Sequence, residues 1–202
     1  MEKEIDELIA SCSTLISTFL QFLKETGARG IEAQKSKWTD IDQERRNIRI
    51  TPAKGSNPRI LPISQKLIGM LNNLPKDKPT IFSYRLKSLR DNYNRQRTRA
   101  SIKLNNPRIN EIHFHTFRHW KGTMEYHKTL SIMHVKQILG HKTIESTQIY
   151  INLEQATFLN NDDTEYVSLV THTITEEQQA IEKGWTLVRP INETTALYRK
   201  RK

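Results

Sequence analysis

The chain has 202 residues, room for one domain with an appendage or two small domains, and its 36% apolar share suffices for a core. Lysine and arginine outnumber aspartate and glutamate by 32 to 22, a net charge of +10 that suits a polyphosphate partner. One cysteine, Cys12, excludes an intrachain disulfide and a cysteine-rich zinc site, while Glu2, Glu4, Asp6 and the polar residues interrupting Leu8–Leu23 are unlike a signal peptide or a membrane span.

Ile5, Leu8, Ile9, Cys12, Leu15, Ile16, Phe19, Phe22 and Leu23 recur at three- and four-residue steps, which predicts an amphipathic helix or helix pair ended by Gly27. A further helical segment runs from Ile31 toward Trp38. Asn47–Thr51 and Arg59–Ile63 alternate branched residues around a loop rich in Pro, Gly and Asn, the pattern of a β-hairpin. Ser64 caps a helix that Pro75 closes. The next helix, from Ser83 to about Lys103, sets Arg85, Lys87, Arg90, Arg95, Arg97, Arg99 and Lys103 against one acid, Asp91. A charge run is more often a solvated face, but this density in a basic protein points to a helix that tracks phosphates. Helices are also expected at 115–129, at 131–139 between a Ser131 cap and Gly140, and at 143–158. The polar cluster 160–165 reads as a boundary between a first domain, 1–159, and an extension, 160–202. In the extension, Thr175–Gly184 reads as a capped helix, Trp185–Val188 and Thr195–Tyr198 as strands pairing across Asn192 and Glu193, and Arg199–Lys202 as a basic tail. The whole is mainly α with a small antiparallel β-sheet.

Two short stretches carry chemistry: His115-Thr116-Phe117-Arg118, and Leu139-Gly140-His141 followed nine residues later by Tyr150. Phosphodiester transfer without a metal needs such an inventory. Extra negative charge on the non-bridging oxygens calls for preorganised donors, and guanidinium groups hold them bidentately. Histidines direct hydrogen bonds and move protons near neutral pH. A phenol can attack, form an ester and leave again, and a lysine can protonate the departing 5′ oxygen. His113, His119, His127, His134 and His172 match no such position, and no carboxylate or cysteine spacing turns them into a metal site.

Taken together, these motifs resemble the catalytic domain of tyrosine recombinases, the phage integrase family. Thr26-Gly27-Ala28-Arg29-Gly30-Ile31-Glu32, with Trp38-Thr39-Asp40-Ile41-Asp42 after it, is similar to the family's first arginine box. Lys54-Gly55 with Arg59-Ile60-Leu61-Pro62 is similar to its lysine hairpin, and His115-Thr116-Phe117-Arg118-His119 to its His-x-x-Arg box. The resemblance covers residues 1–158. It implies that Arg29 and Arg118 clamp a phosphate, that Glu32 buttresses the site, and that Lys54 is the general acid. It also implies that His115 and His141 assist and that Tyr150 is the nucleophile, giving a 3′-phosphotyrosine and a Holliday junction without cofactor or metal. Double-stranded DNA and a tetrameric synapse of this chain are the implied partners, in a prokaryotic cytoplasm at the nucleoid. On this resemblance the sequence is expected to start at the catalytic domain, without the family's usual N-terminal helical domain, as either a fragment or a minimal form, and residues 160–202 resemble the C-terminal extension of archaeal mobile-element integrases. Two rivals remain: a type IB topoisomerase using the same chemistry, and a non-catalytic DNA-binding relative.

Overall fold

The computed structural model describes residues 1–53, 55–158, 166–190 and 195–201. The chain is mainly α with small antiparallel sheets, and it divides into two compact units, Met1–Glu154 and Gln155–Lys202.

In the first unit the opening apolar repeat forms two helices, α1 (Glu2–Ala10) and α2 (Thr14–Thr26), which bury Ile5, Leu8, Ile16, Phe19, Leu20, Phe22 and Leu23. After Gly27 comes α3 (Gly30–Lys35), shorter than the expected run to Trp38, because Trp38–Asp40 is a separate 3-10 turn. The hairpin forms as β2 (Asn47–Ile50) and β3 (Arg59–Pro62), antiparallel with Ile48 opposite Leu61. Burial alternates along both strands, so Ile48, Ile50 and Leu61 face the core. A strand absent from the expectations, β1 (Ile41–Asp42), completes this sheet on the β2 side.

Helix α4 (Gln65–Asn72) has the Ser64 cap, whose hydroxyl accepts the Leu67 amide at 3.1 Å. The basic helix α5 runs Leu86–Lys103, starting three residues later than expected. Next come α6 (Phe114–Thr129), α7 (Ile132–Leu139) and α8 (Glu145–Phe158), whose residues from Gln155 on belong to the second unit. Ser131 caps α7, and Gly140 ends it in the left-handed conformation at φ 68°. Aromatic rings from separate elements meet in the core: Phe19 lies 4.8 Å from Phe82 and 5.0 Å from Phe114, and Tyr93 stacks 4.9 Å from Phe114. This packing fixes α6 by its first turn, and α6 in turn sets the site.

The second unit holds β4 (Tyr166–Thr171), α9 (Ile174–Glu182), β5 (Thr186–Pro190) and β6 (Ala196–Arg201), in an antiparallel sheet ordered β4-β6-β5. The expected pairing of β5 with β6 is present, with a register shift between Leu187 and Arg189. Strand β4, which the expectations lacked, pairs with β6 along six residues. Ala180, Ala196 and Tyr198 are buried together as this unit's small core. Among the described residues no helix is long and apolar enough to cross a membrane.

Candidate active site

Arg118 organises the site. It lies on α6, only 1% exposed, and its Nη1 and Nη2 donate to the carbonyls of Gly27 and Leu139, each at 2.7 Å. Two motifs far apart in sequence are thereby tied to one guanidinium. Burial, and then the nearby Arg29 cation, push its pKa down to about 10, so it stays charged at neutral pH.

Arg29, just before α3, donates through Nη1 to the Ser56 hydroxyl and lies 3.4 Å from Glu32 Oε1. Glu32 is buried and takes the Arg59 guanidinium on Oε2 at 2.8 Å and the Arg29 backbone N–H at 2.9 Å. Burial alone would raise its pKa. The bond and charge from Arg59, with the amides of Arg29 and Ala53, outweigh that and hold the carboxyl below the usual range. Glu32 thus joins the arginine box to the hairpin. Lys54 lies outside the described residues. The loop after it is pinned: the Asn57 amide donates to the Gly140 carbonyl at 2.9 Å, Asn57 Nδ2 to the His141 carbonyl at 3.3 Å, and Ser56 Oγ to the Gly140 carbonyl at 3.2 Å. A Cβ at residue 140 would lie 2.7 Å from the Asn57 carbonyl oxygen, so glycine there permits both the left-handed turn and the docking.

His141 is buried, with Nδ1 2.9 Å from the Thr147 hydroxyl. Burial and then Arg118, Arg29, Arg59 and His115 push its pKa down to about 4, so the ring is neutral at neutral pH. Its ring lies 6.1 Å from that of Tyr150, the two planes 17° apart. Tyr150, on α8, is only 2% exposed and packs with Val135 and Leu139. Burial raises its pKa, with Arg118 and Arg29 acting the other way, so the phenol is protonated at rest. Its ring lies over Gly122 of α6, where a Cβ would come within 2.6 Å of Cζ.

His115 is at the surface on the first turn of α6. Desolvation of its inner side, followed by the charges of His119, Arg118 and Arg29, lowers its pKa. His119, one helical turn on, meets it edge-on at 4.6 Å and lies 5.9 Å from Tyr150, with a buried, unpartnered Nδ1. Five of the residues singled out by sequence (Arg29, Glu32, Arg118, His141 and Tyr150) are therefore linked by bonds, ring contacts or mutual electrostatic influence, with His115 at the rim.

The basic helix splits. Arg90 and Arg97 line a cleft of about 620 Å³ together with Arg29, Tyr93, His113 and His115. Arg97 also donates to the Ile112 carbonyl at 2.9 Å and lies 2.7 Å from His113 Nδ1. At about 100° per residue, Arg95, Arg99 and Lys103 lie roughly half a turn around α5 from that stripe. They are exposed, as are Arg85 and Lys87, and none of the five lines the cleft. Sequence reasoning set His119 aside and passed over Ser56, Asn57, Gly122 and Thr147. Only helical spacing (four residues from His115 to His119, three from Thr147 to Tyr150) and a glycine inside a helix hinted at His119, Gly122 and Thr147. Among the described residues no three His, Cys, Asp or Glu side chains are grouped to hold a metal ion.

A model of the phage integrase family matches residues 1–157. Tyrosine recombinase XerA of Saccharolobus solfataricus is 26% identical over 156 residues, which cover 75% of this chain and 51% of that protein. A crystal structure of XerA recombinase aligns at TM-score 0.65 with 22% identity, over 79% of this chain and 62% of that one. The catalytic domain of bacteriophage HP1 integrase aligns at TM-score 0.55 with 26% identity, over 81% of this chain and 95% of that one. The chain spans about half the length of the curated relatives it matches.

Proposed function

Because the chain belongs to the phage integrase family, we propose that it is a site-specific DNA recombinase that breaks and rejoins strands through a covalent bond to Tyr150. The observation that carries this reading is the convergence of Arg29, Arg118, His141 and Tyr150, brought from four parts of the chain into mutual electrostatic reach. Two permanent cations and a neutral imidazole beside a protonated phenol form a phosphoryl-transfer constellation.

In this reading the guanidinium groups of Arg29 and Arg118 hold the non-bridging oxygens, where negative charge grows in the transition state. The Tyr150 oxygen attacks phosphorus while its proton passes to a neutral imidazole. His115, with its lowered pKa and its place at the rim, is the acceptor. The bond to the 5′ oxygen breaks, Lys54 protonates that oxygen, and a 3′-phosphotyrosine and a free 5′-hydroxyl remain. The 5′-hydroxyl of a partner strand then reverses the step through a Holliday junction. The ester conserves the energy of the bond broken. Arg90 and Arg97 carry the DNA backbone along the cleft toward Arg29. The partners are double-stranded DNA and further copies of the chain in a synapse. The setting is the nucleoid of a prokaryotic cytoplasm, and the element served is mobile and archaeal. Residues 1–159 act as the catalytic domain, and 160–202 as an extension for contacts between protomers.

A pool of nicked duplexes, in which the cleaved fragment diffuses away, tests this directly. The wild-type chain should accumulate a detergent-resistant DNA adduct, and Tyr150→Phe should form none while binding DNA as before. Adducts that persist in Tyr150→Phe would move the nucleophile elsewhere and overturn the assignment.

A further inference from the structure

We propose that Thr147 is a positioning residue: its hydroxyl fixes the His141 ring with the proton on Nε2, so that this imidazole donates a hydrogen bond from Nε2 to the reacting phosphate. The inference rests on the recombinase reading and adds to it a residue and a tautomer.

Thr147 is fully buried on α8, one helical turn before Tyr150. Its hydroxyl has one proton and two neighbours, His141 Nδ1 at 2.9 Å and the Thr143 carbonyl at 3.3 Å. A threonine that merely satisfies itself inside a helix bonds the carbonyl four residues back. Here that contact exceeds the usual O–H···O range of roughly 2.5–3.0 Å, whereas the distance to Nδ1 is that of a well-formed bond. The proton therefore goes to Nδ1, which accepts it.

A neutral imidazole whose Nδ1 accepts must carry its hydrogen on Nε2. Neutrality follows from the surroundings: the ring is buried, and Arg118, Arg29, Arg59 and His115 all bear on it. The two ends of the residue are held by different elements. Asn57, in the hairpin loop, grips the His141 carbonyl, and Thr147, on the nucleophile's helix, grips the ring. A shift of α8 that withdraws the phenol therefore also releases the imidazole from Thr147.

Nitrogen-15 NMR of the DNA-free protein reads the tautomer, with the His141 signals assigned by their loss in His141→Asn. The expected result is a protonated Nε2 and an unprotonated Nδ1. A protonated Nδ1 overturns the proposal, whatever the activity. Single-turnover cleavage supplies the second arm. Thr147→Val, nearly the same shape without the hydroxyl, should cleave roughly two- to tenfold more slowly, the worth of one neutral hydrogen bond, with unchanged DNA affinity. Thr147→Ser should be restored close to wild type. Equal rates for Val and wild type, or a Ser variant as slow as Val, also overturn it. If the wild-type chain forms no adduct at all, the recombinase reading has failed, and the NMR result still judges the tautomer.

Discussion

Tyr150 and Gly122 show how one missing methyl group makes room for a buried phenol ring. The phenol ring lies where a side chain at 122 would stand, so Gly122→Ala must displace either the ring or α6. Overpacking of this kind costs about 1–3 kcal/mol. Gly122→Ala should lower the melting temperature and reduce adduct formation, while DNA binding is retained. A fully active, equally stable variant would show that the ring has freedom to move aside. His141 makes a pH prediction. Its pKa falls from 6.5 to about 4 on folding, so protonation favours the unfolded chain. Its contribution to stability is complete above pH 6.5, is lost as pH falls toward 4, and changes no further below that. The span corresponds to roughly 3 kcal/mol. Denaturant melts between pH 7.5 and pH 3.5 should show a smaller acid loss in His141→Asn than in wild type. Equal losses would remove His141 as the cause.

At the scale of elements, α5 divides its cations between two sides, which separates two explanations of a basic helix. Replacing Arg90 and Arg97 with Ala should flatten the log–log salt dependence of DNA binding by up to roughly 2 units, at about 0.9 per phosphate. Replacing Arg95 and Arg99 should leave the slope near wild type. The reverse ranking would place the DNA on the other side of α5. The sequence carried the density of charge but not this split, because the side of a helix that lines a cleft depends on what packs beneath it. Legibility followed the same rule elsewhere. Ser64, Ser131 and Gly140 announce helix ends through their own side chains or backbone, and the structure places the ends there. The β1 strand has two residues and exists because Ile41 pairs with Ile48, so nothing local marks it. Glu32 was expected to buttress the site, but its partner was not foreseen: the bond to Arg59 joins residues 27 apart and becomes visible only when α3 and the hairpin meet. The candidate set was legible because phosphoryl transfer constrains residue types, whereas the residues that contact it (Ser56, Asn57, Thr147) are ordinary polar side chains until the fold brings them to the site.

Charge is unevenly shared along the whole molecule. Residues 1–158 contain 26 Lys and Arg against 15 Asp and Glu, while 159–202 contain 6 against 7. Affinity for the DNA backbone should therefore belong to the first part. A chain ending at Phe158 should keep the wild-type salt slope, and any loss should appear in synapsis instead. A markedly flatter slope would mean that the basic end, Arg199–Lys202, touches DNA. The two carbonyls that Arg118 holds have a further meaning for the cell that makes this protein. They come from residues 91 positions before it and 21 after it, so the pocket exists only once most of the chain has been synthesised and has closed on itself. A ribosome-bound chain that has emerged only as far as α6 has its arginines but neither His141 nor Tyr150, and with Leu139 missing, Arg118 lacks one of its two anchors. The pocket around Arg118 is thus completed only after α7 has emerged, and a chain terminated before Leu139 is born without it.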